Sequence, residues 1–242
     1  MSLGWRHMAA AVAALLCVSV QVPAWSQVLS PEARTGSHVP MNPQVVAGMA
    51  RGELISEFAK CIFRQYPDRV DYFLRHSDDL KLDPSIKDIR RYLGLSYCLG
   101  DAADDQAIAV SGVFHVQSLR DMLAEESYRQ ANPTMPAVIP APTTVSRVFF
   151  TPPEERGAAQ ARAEFADCIV EKDKAGADAI LRTRRGSLEE KASARALAPV
   201  LGVCLLTGQK LALKVENVRE FAANGLWQYF EAAKPVRYKG MP

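Results

Sequence analysis

The chain has 242 residues, 48% of them hydrophobic and 23% charged, with a formal net charge of +2. So small a net charge gives no reason to expect nucleic acid or an anionic membrane surface as a partner. After the first 20 residues, no stretch is long and apolar enough to form a transmembrane helix.

The first 26 residues have the form of a secretory signal peptide. Arg6 and His7 precede an apolar segment, residues 8–20, that is too short to span a bilayer. Ala24 and Ser26 then fit a signal peptidase site, which predicts a mature chain that begins at Gln27. We therefore expect an exported protein, either periplasmic or extracellular, without a transmembrane segment after processing.

The remaining chain divides into four segments. Residues 27–42 are rich in turn formers and predict an irregular N-terminal arm. Residues 43–130 and 154–242 carry apolar side chains at helical spacing and predict two helical repeats. Residues 131–153 hold six prolines, which is typical of a semi-extended linker.

Each repeat is predicted to contain about four helices, so the fold class is mainly α. The third helix is expected to begin at Asp83 in the first repeat and at Ser187 in the second. Residues 107–116 have β-branched side chains, and residues 211–215 alternate apolar with polar, so each repeat has one segment that favours a short strand.

A short motif in the first helix shows that the two segments are related. Residues 57–62 read EFAKCI and residues 164–169 read EFADCI, so five of six positions are identical at an offset of 107. In the last helix, Arg120 matches Arg219 at an offset of 99. This duplication predicts tandem helical units that bury a shared face against each other.

Four cysteines remain after the signal peptide, which in an exported chain indicates two disulfides. The favoured pairs are Cys61–Cys98 and Cys168–Cys204, because both repeats then use one design; the alternative joins Cys61 to Cys168 and Cys98 to Cys204. Each favoured bridge would close a loop of about 37 residues and contribute about 4 kcal/mol. The cysteine spacings match no zinc site of the CxxC type, and no cofactor or metal is indicated.

Two acid–arginine combinations recur in the repeats, Glu57 with Arg120 and Glu164 with Arg219. We expect a glutamate–arginine bridge from the first to the fourth helix of each repeat, because a partly buried arginine needs a partner. The alternative is that one arginine of each repeat binds a ligand.

Arg182, Arg184 and Arg185 form a basic cluster in the second repeat. Such a cluster either binds phosphate or an acidic polymer or is simply a solvated loop.

The sequence contains no GxSxG, HExxH, GxGxxG or P-loop motif. If the cysteines are oxidised, none of them is available as a thiolate nucleophile. The sequence therefore favours an exported binding or structural protein that acts by surface contact, with another envelope protein as one conceivable partner. The alternative is a small exported hydrolase with its site in the cleft between the repeats.

The order of signal peptide, F-A-x-C motif, Leu-Arg pair, second cysteine and closing helix resembles a group of uncharacterised exported bacterial proteins. The residues that carry the resemblance are Phe58, Ala59, Cys61, Leu74, Arg75, Cys98, Leu119, Arg120 and Tyr128, with counterparts Phe165, Ala166, Cys168, Leu181, Arg182, Cys204, Val218, Arg219 and Trp227. The resemblance implies the same duplicated helical build. It transfers no catalytic residue, because no activity is established for that group.

Overall fold

The computed structural model describes residues 51–102, 115–136, 147–205, 213–232 and 234. The predicted signal peptide, the N-terminal arm and the centre of the linker lie outside these residues. All the described residues belong to one unit, which runs from Pro40 to Pro242. The fold is mainly α, as predicted, and the described ranges contain no sheet.

The described residues form ten helices, five before the linker and five after it. The N-terminal half, residues 51–136, contains α1 (Arg51–Gln65), α2 (Pro67–Arg75), α3 (Ile89–Tyr92), α4 (Leu95–Ala102) and α5 (Val116–Ala131). The C-terminal half, residues 147–234, contains α6 (Arg156–Lys172), α7 (Lys174–Arg182), α8 (Leu188–Ala196), α9 (Ala198–Cys204) and α10 (Val215–Phe230). None of these ten has both the length and the apolar content that crossing a membrane requires.

The helix predicted as the third of each half is interrupted, so each half has five helices rather than four. In the N-terminal half the N-cap is Asp88, not Asp83, and its carboxylate accepts two backbone N–H groups of α3 at 3.1 and 3.2 Å. Gly94 then ends α3 with a φ of 61°, a left-handed conformation that glycine adopts without steric cost. In the C-terminal half, Pro199 lies in the first turn of α9, where its missing N–H separates this helix from α8.

The predicted start of the helix at Ser187 lies within the described residues, and the two predicted strands lie there only in part. Ser187 caps α8 as expected, and its hydroxyl accepts a backbone N–H from the first turn at 3.2 Å. Most of the two predicted strand segments, residues 107–116 and 211–215, lies outside the described ranges. Their last residues, Val116 and Val215, begin α5 and α10.

The two disulfides form within the halves, as predicted. Cys61 and Cys98 join α1 to α4 with a Cα–Cα distance of 5.5 Å, and Cys168 and Cys204 join α6 to α9 at 5.7 Å. Both distances lie in the ordinary range for a disulfide. The alternative pairing between the halves is therefore wrong.

The last helix of each half packs against earlier helices of that half. In the N-terminal half α5 packs on α1 and α2, and in the C-terminal half α10 packs on α6, α7 and α8. These two helices also pack against each other, which joins the halves. Their C-terminal ends meet where Asn132 Nδ2 donates to Glu231 Oε1 at 2.8 Å.

Candidate functional site

Arg120 lies near the start of α5 and covers the C-terminal end of α2. The side chain is nearly fully buried, and its Nη1 donates to the carbonyl oxygens of Leu74 at 2.5 Å and Ser77 at 2.7 Å. The end of a helix leaves backbone carbonyls without partners and carries partial negative charge, so a guanidinium stabilises it there. Burial lowers the pKa of Arg120, although the carboxylate of Asp79, 3.7 Å away, opposes that effect.

Arg219, the counterpart of Arg120, covers the end of α7 in the same way. Its guanidinium donates to three backbone carbonyls at 2.9–3.1 Å, those of Ile180, Leu181 and Thr183. Unlike Arg120, it also bonds directly to two buried carboxylates. Nε and Nη2 donate to Glu125 at 2.9 and 2.6 Å, and Nη1 donates to Glu190 at 2.9 Å. Because Glu125 belongs to α5, this bidentate pair connects the two halves.

The bridges predicted from Glu57 to Arg120 and from Glu164 to Arg219 are wrong. Glu57 instead accepts from the lysine three residues on, at 2.6 Å, and Glu164 accepts from the glutamine four residues before it, at 2.7 Å. Both glutamates are solvated, so they do not need an arginine, whereas the carbonyls at a buried helix end do need donors. Neither arginine is open to a ligand, because each guanidinium is buried beneath these partners.

Glu125 is surrounded by three arginines. Besides the pair with Arg219, it forms a close ion pair with Arg185 and lies 3.7 Å from Arg129. Burial by itself would raise the pKa of Glu125, but Arg185 and Arg219 outweigh burial and hold the pKa below its ordinary value. The carboxylate is therefore held in its ionised form at the contact between the halves.

The basic cluster of Arg182, Arg184 and Arg185 does not form one open anion site. Arg185 is committed to Glu125, and Arg182 pairs with Asp178 at 2.8 Å. Arg184 is the exposed member of the three. An anion would have to displace a protein carboxylate from two of these arginines.

Arg75 and Arg182 each bond to the opposite half. Arg75 on α2 donates to the carbonyl of Glu231 at 3.0 Å, just after α10. Arg182 on α7 donates to the carbonyl of Asn132 at 2.7 Å, just after α5. The Leu-Arg motif marked both arginines in the sequence, but it gave no sign of these partners, because they are backbone atoms from the other half.

A further buried polar group lies between α5 and α10. Asp121 accepts a hydrogen bond from Nδ2 of Asn224. Three buried polar atoms have no hydrogen-bond partner within the described part of the chain: Oδ2 of Asp121, Oδ1 of Asn224 and Nε1 of Trp227. Burial raises the pKa of Asp121 well above its ordinary value, and the carboxylates of Glu220 and Asp79 raise it further. Asp121 is thus held toward its neutral, protonated form.

A pocket of about 350 Å³ opens beside α2, between the end of α5 and the residues that follow α10. Residues from both halves line it, and five of them are charged: Asp68, Asp71, Arg75, Glu231 and Lys234. Unlike the buried ion pairs described above, this pocket has room for a ligand next to its charged side chains.

Most of the charges in this pocket are already paired. Arg75 Nε lies 3.0 Å from Asp71, and Lys234 Nζ lies 2.7 Å from Glu231. Asp68, in the first turn of α2, is exposed and has no hydrogen-bond or ionic partner among the described residues. One carboxylate of the pocket is therefore available for a ligand.

The pocket lies where side chains of α5 are smaller than their counterparts in α10. With the offset of 99, Ser127, Gln130 and Ala131 correspond to Leu226, Tyr229 and Phe230. The three larger side chains are all buried in the hydrophobic cluster of the C-terminal half. In the N-terminal half, the smaller side chains leave open space.

Comparisons with protein families, with curated proteins and with solved structures find no match to this chain.

Proposed function

We propose that the protein is an exported binding protein, built by internal duplication, that holds a small polar ligand in the pocket beside Arg75 and Ala131. The pocket volume of about 350 Å³ is at the lower end of the range of roughly 300–1,000 Å³ that is typical of small-molecule sites. A ligand there would contact both halves, because Glu231 and Lys234 come from beyond α10.

The observation that carries this proposal is the difference in side-chain size between α5 and α10. A helix that packs tightly in one half, with Leu226 and Phe230, has Ser127 and Ala131 at the matching positions in the other. The matched positions of the C-terminal half are close-packed in its core, so the open space in the N-terminal half needs a reason. Retention of a ligand site in one half supplies that reason.

A hydrolase with its site in this cleft is the alternative, and the pocket lining argues against it. Ser127 is the one hydroxyl-bearing side chain among the described lining residues, and no histidine or cysteine lines the pocket with it. The carboxylate of Asp71 is engaged by Arg75, and that of Glu231 by Lys234. A serine nucleophile needs an adjacent base to accept its proton, so the lining favours binding over catalysis.

Export is supported by the predicted signal peptide together with the two disulfides, since structural disulfides persist in oxidising compartments. Intact mass measurement of the protein from its native cell envelope or medium tests this. We expect a chain that begins at Gln27 and carries two disulfides. Recovery of a full-length, reduced protein from the cytosol would contradict export.

Ligand-detected saturation-transfer NMR tests the binding function. The probes are putrescine, glucosamine, glucose, 1,4-butanediol, glutamate and citrate, which cover cationic, neutral and anionic solutes. At least one probe should receive saturation from the wild-type protein. The substitution Ala131→Phe should abolish this transfer, because it places in the pocket the side chain that the C-terminal half has at the matching position.

The matched control is Ala192→Phe, an exposed position on α8 that does not line the pocket. It should leave the signal unchanged. A second variant that fills the pocket, Gln130→Tyr, keeps the test valid if Ala131→Phe does not fold. Circular dichroism checks that both variants are folded. No transfer to any probe, or transfer that persists in both filled variants, would overturn the binding function.

A further inference from the structure

We infer that the ligand of this pocket is a compact organic cation with a primary ammonium group, an inference that rests on the proposed binding function. The described charged groups that line the pocket are three carboxylates and two cations, which leaves a net charge of −1. Because Asp71 and Glu231 are paired with the two cations, the unbalanced charge belongs to Asp68.

Each cation of the pocket is already neutralised by a carboxylate of the protein. Arg75 uses Nε for Asp71, Nη1 for the carbonyl of Ala232 at 2.8 Å, and Nη2 for the carbonyls of Glu231 at 3.0 Å and Lys234 at 3.2 Å. The ammonium group of Lys234 is held by the side chain of Glu231 at 2.7 Å. An anion would have to compete with Asp71 and Glu231 for these cations, whereas a cation finds the carboxylate of Asp68 without a partner among the described residues.

The uncharged part of the lining fits the body of such a ligand. The ring of Phe63 and the surfaces of Pro67 and Ala131 are apolar, and an aromatic ring attracts an ammonium group through its face. Ser127 and Gln130 add a hydroxyl and an amide that bind hydroxyl or amine groups. The volume suits a molecule of the size of a monosaccharide or a short diamine. Amino sugars and aliphatic amines share this chemistry.

Isothermal titration calorimetry with matched probes tests the inference. Glucosamine is compared with glucose, and putrescine with 1,4-butanediol, so that each pair differs in its amino and hydroxyl groups. We expect the amine of at least one pair to bind about fivefold more tightly than its alcohol, which corresponds to the upper range for an exposed ion pair. This preference should decrease as salt is added, because the carboxylate is exposed.

The variant Asp68→Asn should remove the preference for the amine. The matched control is Glu53→Gln, an exposed carboxylate in the first turn of α1 that does not line the pocket, and it should keep the preference. A preference in the glucosamine pair alone indicates an amino sugar, and one in the putrescine pair alone indicates an aliphatic amine. Either result supports the inference.

Equal binding of amine and alcohol in both pairs, or an unchanged preference in Asp68→Asn, would overturn the inference about the cation. The binding function would survive that result if Ala131→Phe still abolished the binding of a neutral or anionic probe. If no probe binds the wild-type protein, both the cation and the binding function are rejected. The two failures are therefore distinguishable.

Discussion

Tyr128 and Trp227, which match each other in the two halves, each lie in the hydrophobic cluster of the opposite half. The ring of Tyr128 packs 5.8 Å from that of Phe230 in the C-terminal cluster, and its hydroxyl donates to Asp178 at 2.7 Å. Trp227 belongs to the N-terminal cluster, where the guanidinium carbon of Arg120 lies 5.2 Å from its ring. Each half thus completes its core with an aromatic side chain of the other, so we expect the two to unfold together.

Truncation of Trp227 tests this exchange. Trp227→Ala should lower the free energy of unfolding by about 3–5 kcal/mol, because it removes a fully buried aromatic side chain. Hydrogen exchange should show lost protection in α1 and α2 of the N-terminal half, although the substitution is in α10. The control Val203→Ala, at a side chain that is 70% exposed, should change stability by less than about 0.5 kcal/mol. Loss of protection confined to α6 and α7 would contradict the exchange.

The pair of Glu125 and Arg219 should be strongly coupled. Either Glu125→Gln or Arg219→Met alone should cost up to about 3–5 kcal/mol, because each breaks a buried bidentate ion pair. Arg219 keeps Glu190, and Glu125 keeps Arg185, as a second partner. A double-mutant cycle followed by urea unfolding should give a coupling of about 2–3 kcal/mol. The matched cycle of Glu164→Gln with Arg219→Met should give a coupling near zero. A coupling near zero for Glu125 as well would mean that Glu190 and the backbone carbonyls hold Arg219 without it.

The sequence predicted the helices and disulfides because their signals are local. Apolar spacing places Cys61 and Cys168 on the inner faces of α1 and α6, and the matched cysteine spacing selects the pairs within each half. The sequence did not predict that the third helix of each half is interrupted, after Tyr92 and after Ala196. Each interruption depends on one residue, Gly94 or Pro199, within a segment whose apolar pattern continues across the break.

The partners of the buried arginines were not predictable from the repeated residues. The acids that recur with Arg120 and Arg219 are Glu57 and Glu164, whereas Glu125 has no acidic counterpart: the offset of 99 leads to Asn224. Many of the other partners are backbone carbonyls, which no residue type signals. The pocket was missed for a similar reason, because Ala131 at the end of a helix gives no indication that a cavity adjoins it.

Asp121 should make stability depend on pH. Its folded pKa is raised above the unfolded value, so the folded state holds the proton more tightly and loses stability as pH rises through the folded pKa. The charged groups that set this pKa are the carboxylates of Glu220 and Asp79, which raise it, and Arg162, which lowers it. Asp121→Asn mimics the neutral acid. Relative to this variant, the wild-type protein should become less stable in urea as pH increases from about 5 to about 9.

Asp83 provides a control of opposite sign for this pH dependence. The backbone N–H of Ser85 donates to its carboxylate at 2.8 Å and lowers its pKa. The stabilisation that the Asp83 carboxylate contributes is therefore present above its unfolded pKa. It is lost as the pH falls through the pKa of Asp83 in the folded state. Asp83→Asn should leave the difference between pH 5 and 9 unchanged. Parallel stability curves for the wild-type protein and Asp121→Asn would show that Asp121 titrates normally.

Gly225 should be required where α10 crosses α6. A Cβ atom at this position would overlap the backbone carbonyl oxygen of Ala166 and lie 2.7 Å from Cγ2 of Val170. Because a backbone atom cannot move aside as a side-chain end can, Gly225→Ala should cost about 1–3 kcal/mol in urea unfolding. Gly202 in α9 has no atom within 4 Å of such a Cβ, so Gly202→Ala should raise stability by up to about 1 kcal/mol through helix propensity. Equal stability of Gly225→Ala and Gly202→Ala would contradict this prediction. It would mean that α6 and α10 can move apart without a loss of stability, so that their close contact does not stabilise the C-terminal half.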